Sequence, residues 1–290
     1  MDPKPEAVSK ITVPLILDRK LQGEKITCLT AYDYPTARLV DAAGIDMILV
    51  GDSLAQVVLG YDSTIPVTVE EMLHHVRAVR RATRRALLIA DLPYGAYHVS
   101  DEEGLRAAVR FLKEGGAEAV KIEGGRKRFA LIRRMVEAEI PVMGHIGLTP
   151  QSIHAMGGYR VQGQTLESVN DLLADAQAVE DAGAFAIVLE GIPRELAALT
   201  TRRLRIPTVG IGAGPDCDGQ VLVVHDLLGL SFQSPAKFVR QYADLAATLR
   251  DALARYREDV LAGRYPNDQE SYHWSADLRE QFEKETARFS

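Results

Sequence analysis

Apolar residues along the chain gather into eight short runs: "ITCLTAY" (26–32), "MILVGD" (47–52), "LLIADLP" (87–93), "AVKIEGG" (119–125), "PVMGHIG" (141–147), "AIVLEG" (186–191), "TVGIGAG" (208–214) and "VLVVHD" (221–226). Between them the apolar positions take a helical period. "TVEEMLHHVRAVRRAT" begins at Thr68 with acids in its first turn and keeps Met72, Val76 and Val79 on one face. "SDEEGLRAAVRFLKEGG" opens on a Ser100 cap and stops at Gly115 and Gly116, and "SVNDLLADAQAVEDAG" stops at Gly183. Near-continuous apolar strands alternating with amphipathic helices predict a parallel sheet covered on its outer face. Eight such units predict an α/β fold of the (β/α)8 TIM-barrel type.

Two further segments flank the predicted barrel. "SKITVPLILDRKLQG" reads as a short N-terminal helix that closes the barrel floor, and residues 234–263 read as one long or two joined amphipathic helices, a C-terminal helical extension. One domain over 1–290 is expected, with the barrel over about 24–233, C-terminal helices over about 234–263 and a polar tail over about 264–290. The tail, with its spaced aromatics, is expected on the surface or on a neighbouring subunit.

Polar residues recur where the predicted strands end: Asp52, Asp91, Glu123, His145 and Glu190 follow strands two to six. TIM barrels draw their catalytic groups from the C-terminal ends of several strands, so these residues define one mouth. Residues i and i+2 of a strand share a face. With Val120 and Ile122 towards the helices, Lys121 and Glu123 face the barrel axis, and so do Val188 and Glu190 when Ile187 and Leu189 face out. Two aspartates and a glutamate converging without a His or Cys pair suit a hard, oxygen-loving cation, Mg²⁺ before Zn²⁺. Each acid taken alone could instead cap the next helix or pair with an arginine, and His145 could be a hydrogen-bonded core residue. His74, His75 and His154 read as structural or surface residues. The "GIGAGPDCDGQ" loop could cradle a phosphate or serve only tight packing.

Composition narrows the function classes. Lys and Arg total 34 against 40 Asp and Glu, and the net charge of −6 argues against a polyanion-binding surface, so no nucleic-acid partner is expected. Of the two cysteines, Cys28 sits in an apolar run and Cys217 in the Gly-rich loop, without CxxC spacing, as in a reducing compartment. The first residues, "MDPKPEAVSK", lack a signal-peptide core and no run approaches the roughly 18 apolar residues of a membrane span. A cytoplasmic enzyme with no membrane partner is expected.

Several longer motifs carry a resemblance. "TAYDYPTARLVDAAGIDMILVGDSL", "VLGYDSTIPVT", "ADLPYG", "EGGAEAVKIEGG", "IPVMGHIGLTPQS", "GGYRVQG" and "GIGAGPDCDGQVLVVHDLLG" follow one another from about Ile11 to Tyr265. Together they closely resemble the ketopantoate (3-methyl-2-oxobutanoate) hydroxymethyltransferase family. The resemblance implies a one-carbon transferase that moves a hydroxymethyl group from 5,10-methylenetetrahydrofolate, as co-substrate, to 3-methyl-2-oxobutanoate. The product is 2-dehydropantoate, on the route to pantothenate and coenzyme A. It also implies Mg²⁺ dependence and a homo-oligomer, commonly a homodecamer.

Residue by residue, the resemblance makes Asp52 and Asp91 ligands of the ion, with Glu123 completing the set. Substrate contacts fall to Ser53, Lys121 and His145, in addition to Asp52 and Asp91, and Glu190 becomes the proton acceptor. The implied chemistry is attack by a Mg²⁺-stabilised enolate. A 2-oxo acid chelates the ion through its carboxylate and ketone oxygens, C3 becomes acidic, and Glu190 among apolar neighbours takes the proton. Tyr32, "GGYRVQG" and "GIGAGPD" are candidates for the folate pocket. Where the family usually reads "GDSLGM" this chain has "GDSLAQ", so Ala55 and Gln56 depart from it beside a predicted ligand. The alternatives are a Mg²⁺-dependent 2-oxo acid lyase or mutase of the phosphoenolpyruvate mutase and isocitrate lyase type, and a barrel without catalysis that serves as a binding module.

Overall fold

Eight parallel strands close on themselves in sequential order, β1 to β8. They are β1 (Ile26–Thr30), β2 (Met47–Val50), β3 (Leu87–Asp91), β4 (Ala119–Glu123), β5 (Val142–Gly147), β6 (Ala186–Glu190), β7 (Thr208–Ile211) and β8 (Gly219–Leu222). The computed structural model describes residues 9–232 and 234–288; the first eight residues and the last two of the polar tail lie outside them. Closure is made by β8 lying beside β1, with Ile26 opposite Gly219 and Cys28 opposite Val221. The predicted (β/α)8 barrel is the observed fold.

Strand parity sorts the strand residues into two layers. Ile48, Val50, Leu88, Ala90, Val120, Ile122, Ile187 and Leu189 pack outward against helix residues such as Met72, Val76, Val79 and Met135. Met47, Leu49, Leu87, Ile89, Ala119, Met143, Ala186 and Val188 fill the interior. Burial on both faces explains why the strands read as continuous apolar runs.

The helices start where their caps dictate. Thr68 and Glu71 form a reciprocal capping box for the helix Val69–Ala82. Ser100 caps Asp101–Arg110. The helix expected from Ser168 begins earlier, at Leu166, because the Thr165 side chain accepts from Ser168 N–H while Ser168 bonds back to Thr165.

The N-terminal helix Val13–Gln22 closes the floor: Ile11 and Ile16 join the interior cluster beneath the strands. Cations on this helix and just before it clamp acids that precede the strands. Lys10 pairs with Glu118 at 2.6 Å, Arg19 with Asp46 at 3.0 Å and Lys20 with Asp218 at 2.7 Å. Asp46 is buried and also takes Arg85 and Thr27, so the charges that close the floor are neutralised locally.

Two elements differ from the sequence expectation. The sequence pattern predicts the eighth strand at 221–226; the strand begins at Gly219, and Val224–Leu228 is helical. A side chain at 219 would lie 2.5 Å from the Ile26 carbonyl oxygen, so only glycine lets β8 reach β1. Val224 N–H then donates to Thr30 Oγ1, which turns the chain out of the strand. Over 234–263, helix is confined to Leu245–Leu261, preceded by a cap at Asp244.

The chain divides into two compact units, Met1–Gln241 and Tyr242–Ser290. The first holds the barrel. Within the second, besides the helix Leu245–Leu261, Ala276–Thr286 is helical and the Trp274 and Phe282 rings stack edge to face, 4.8 Å between centroids. Among the described residues no helix is long and apolar enough to cross a membrane.

Candidate active site

At the C-terminal ends of the strands, Asp52, Ser53, Asp91, Lys121, Glu123, His145 and Glu190 all line one cavity of about 180 Å³. A larger groove of about 510 Å³, beside Val13, Leu17 and Phe185 at the floor, lacks such a convergence of ionisable groups. Register does much of the assembly. Asp91 lies beside Lys121 across β3 and β4, Glu123 beside His145 across β4 and β5, and Gly147 beside Glu190 across β5 and β6. His145, expected after its strand, is within β5 and points inward with the acids.

Two glycines make the rim possible. A Cβ at Gly51 would sit 2.9 Å from Ser53 Oγ and 3.4 Å from Asp91 Oδ2, so the chain can pass over the site only without one. Gly147 has φ +94°, and a Cβ there would lie 2.2 Å from the Glu190 carbonyl oxygen.

The charges are crowded and dry. Lys121 Nζ lies 2.7 Å from Asp91 Oδ1 in an ion pair off the hydrogen-bonding direction. Asp91 Oδ2 accepts from Asp52 N–H at 3.0 Å. Burial would lower the Lys121 ammonium, but Asp91, Glu123 and Asp52 outweigh it and hold the group above the usual lysine range. Burial drives Asp52 well above the ordinary carboxylate range, reinforced by the charges of Asp91 and Glu123, and burial also raises Asp91 against the pull of Lys121.

For Glu123, burial is outweighed by His145, Lys121 and the Gln151 N–H, so its carboxyl stays below the usual range. His145 is lowered by burial and by Lys121, yet its contacts with Glu123 and Glu190 raise it to about 9. Its Nδ1 is 3.4 Å from Glu123 Oε1 and its Nε2 is 3.2 Å from Glu190 Oε2. The ring thus lies between two carboxylates, with Lys121 Nζ also 3.3 Å from its Nδ1.

The donor set fits a hard cation. Five carboxylates, those of Asp52, Asp91, Glu123, Glu190 and Asp226, line the cavity against one lysine and one histidine, an excess of acids over bases in a low-dielectric site. Among the described residues Asp91 Oδ1 has the Lys121 ammonium beside it and Glu123 Oε1 has His145, neither in hydrogen-bonding geometry. Among the described residues no three His, Cys, Asp or Glu side chains form a ready-made cage. The neighbouring carboxylates of Asp52 and Asp91 suit Mg²⁺, which binds one or two carboxylates and completes its shell with water and substrate oxygens.

Sequence reasoning missed two buried side chains that hold the site's carboxylates from behind. Gln151, in the turn after β5, is 3% exposed and donates through Nε2 to Asp52 Oδ2 at 2.8 Å and to the Leu92 carbonyl at 3.0 Å. Tyr97, 1% exposed, donates its hydroxyl to Gln151 Oε1 at 2.7 Å and accepts from Glu123 N–H at 3.0 Å. Gln151 lies in the motif "GLTPQS" and Tyr97 just beyond "ADLPYG", but neither is ionisable near neutrality, so neither stands out as a charge in an apolar run. Tyr32, a candidate for the mouth, is buried and its hydroxyl lies 2.8 Å from Ser53 Oγ.

The other flagged residues also have places. His75 Nδ1 is 2.6 Å from the Tyr32 carbonyl, and His154 is exposed. Gln56 lines the cavity and its Nε2 bonds the Asp62 carbonyl at 3.2 Å, while Ala55 is fully buried. In the Gly-rich loop, Gly214 has φ +79° and a Cβ there would sit 2.4 Å from Arg194 Cβ, so its glycine serves close packing. Cys28 is enclosed in the barrel, and burial pushes its thiol up, which leaves no thiolate nucleophile there.

The model of the family described as ketopantoate hydroxymethyltransferase matches residues 10–268. A 3-methyl-2-oxobutanoate hydroxymethyltransferase of Koribacter versatilis (strain Ellin345) is 64% identical, over 91% of this chain and 90% of its own. That of Trichlorobacter lovleyi (strain ATCC BAA-1151 / DSM 17278 / SZ) is 56% identical, over 91% and 98%. Among solved structures, a phosphonopyruvate hydrolase complexed with oxalate and Mg²⁺ superposes with TM-score 0.61 at 16% identity, covering 95% of this chain and 96% of its own. A 2,3-dimethylmalate lyase of the PEP mutase/isocitrate lyase superfamily gives 0.57 at 18% identity, covering 94% and 98%. At such identities the two structures share the fold with this chain, and the likeness carries no activity.

Proposed function

This chain belongs to the ketopantoate hydroxymethyltransferase family, and from that premise we propose how its cavity carries the reaction. It is a transferase that hydroxymethylates C3 of 3-methyl-2-oxobutanoate to give 2-dehydropantoate, a step towards pantothenate. The observation that carries the reading is the convergence of Glu190, His145, Lys121 and two aspartates on one small cavity.

Asp52 and Asp91, with Glu123 behind them, are the residues that would hold Mg²⁺; when bound, the ion supplies Lewis acidity to the substrate's ketone oxygen. Lys121 offers its ammonium to the carboxylate and to the oxygen on which negative charge gathers as C3 loses its proton. Ser53, held by Tyr32, hydrogen-bonds the substrate. Glu190 takes the C3 proton, and His145, 3.2 Å away, orients that carboxylate from one side. C3 of the enolate bonds to the one-carbon unit of 5,10-methylenetetrahydrofolate; both C–N bonds of that carbon break, its hydroxyl oxygen comes from water, and tetrahydrofolate leaves with its two nitrogens protonated. A cavity of about 180 Å³ holds the small oxo acid, so the folate lies at its mouth.

A cytoplasmic location fits two buried free cysteines and a folate co-substrate, and assembly as a homo-oligomer, a homodecamer in the family's pattern, completes the reading. The decisive experiment is deuterium exchange at substrate C3 without folate. Glu190→Gln is expected to slow exchange by roughly 10²- to 10⁴-fold. Exchange at the wild-type rate would move the base elsewhere.

A further inference from the structure

Gln151 is attached to β5 through the turn Pro150–Ser152, yet it reaches residues that end three other strands. Its carboxamide meets Asp52 after β2 and the Leu92 carbonyl after β3, and its backbone N–H donates to Glu123 Oε2 at the end of β4, 3.0 Å away. The two acceptors facing the NH₂ group fix the amide's orientation, since the reverse would set oxygen against oxygen. Tyr97 closes the circuit. Glu123 N–H donates to the Tyr97 hydroxyl, the hydroxyl donates to Gln151 Oε1, and Gln151 N–H returns to the Glu123 carboxylate.

Every member of this circuit is at most 5% exposed, so water does not substitute for a missing partner. Asp52 Oδ2 is occupied by Gln151, which leaves Oδ1 as the oxygen without a hydrogen-bond partner among the described residues. Glu123 is likewise held by Oε2, which leaves Oε1 towards His145. We propose that Gln151, braced by Tyr97, is a positioning residue that selects which oxygens of Asp52 and Glu123 face the cavity, and so presets the donor set offered to a divalent cation and the 2-oxo acid. A glutamine suits this task because it supplies both donor and acceptor without adding charge to a cavity already rich in carboxylates. The identity of the bound species rests on the function proposed above; the placement of the two carboxylates does not.

The test uses the full-length chain and Gln151→Met, which keeps the bulk and removes every side-chain polar atom. Titration calorimetry with Mg²⁺ alone is expected to show affinity weakened by roughly 10- to 100-fold, the usual cost of losing a partner that orients a ligand. A merely structural role would lower the melting temperature and leave that affinity intact. Affinity within twofold of wild type overturns the proposal. Tyr97→Phe, which removes one oxygen, is expected to give a smaller loss in the same direction, and serves alone if Gln151→Met fails to fold; unchanged Mg²⁺ affinity in it then overturns the proposal. If the wild-type chain binds no Mg²⁺, the proposed cation falls independently. Metal-free crystal structures then decide: an Asp52 carboxylate rotated in Gln151→Met supports positioning, and an unmoved one refutes it.

Discussion

Replacing Lys121 by Met removes the only ammonium that lines the cavity among the described residues, while keeping most of the stem that fills it. Lys121 Nζ and Asp91 Oδ1 are 2.7 Å apart, and their side chains are 5% and 3% exposed. Deleting one partner of so buried a pair costs about 3–5 kcal/mol, because the remaining charge keeps its desolvation penalty. At roughly 2–4 °C per kcal/mol for a chain of this size, the melting temperature in EDTA near pH 8 should fall by roughly 10 °C. The sign of the pH dependence follows from the carboxylates. Burial already raises Asp52 and Asp91, and without Lys121 they rise further. A carboxyl whose folded pKa exceeds its unfolded value adds stability below the unfolded value and loses it as pH climbs through the folded one. The deficit of Lys121→Met should therefore be largest near pH 8 and shrink towards pH 5. Saturating Mg²⁺, which binds the folded carboxylates, should shrink it as well. Calorimetric melting of both proteins across this range checks the reasoning. A deficit below about 2 °C, or one that does not change with pH, would refute the claim that Lys121 compensates buried charge.

Three further outcomes follow from single contacts. Asp52→Asn should weaken Mg²⁺ binding by at least about tenfold in calorimetry, since losing a ligand exceeds the loss of an outer partner; unchanged affinity would remove Asp52 from the ligand set. Arg19→Ala leaves Asp46 with Arg85 and Thr27 among the described residues, and should cost about 2 kcal/mol in thermal unfolding without altering kcat, because the floor is remote from the mouth. A matching drop in kcat would show that the floor and the site are coupled. Gly147→Ala forces a Cβ to within 2.2 Å of the Glu190 carbonyl oxygen at φ +94°, and should cost about 3 kcal/mol and lower kcat together. Wild-type melting in that variant would show that the strand end yields freely.

The period of two in the strands explains why so much of this site was legible before any coordinates. Once Val120 and Ile122 face the helices, Lys121 and Glu123 have nowhere to point but inward, and the same holds for Glu190 against Ile187 and Leu189. Parity is a local property, so a sequence displays it. The start of β8 was not legible because Gly219 and Gln220 resemble the loop that precedes them, and their pairing is decided by Ile26, which is almost 200 residues away in the chain. Gln151 was hidden for a related reason. Its importance comes from four partners contributed by three strand ends and one loop, and nothing in its own neighbours announces them. Charged residues betray themselves in an apolar run because their burial demands compensation. The neutral residues that supply part of that compensation leave no such mark, so a reading of charge finds the acids of a site and passes over the amide and the phenol that aim them.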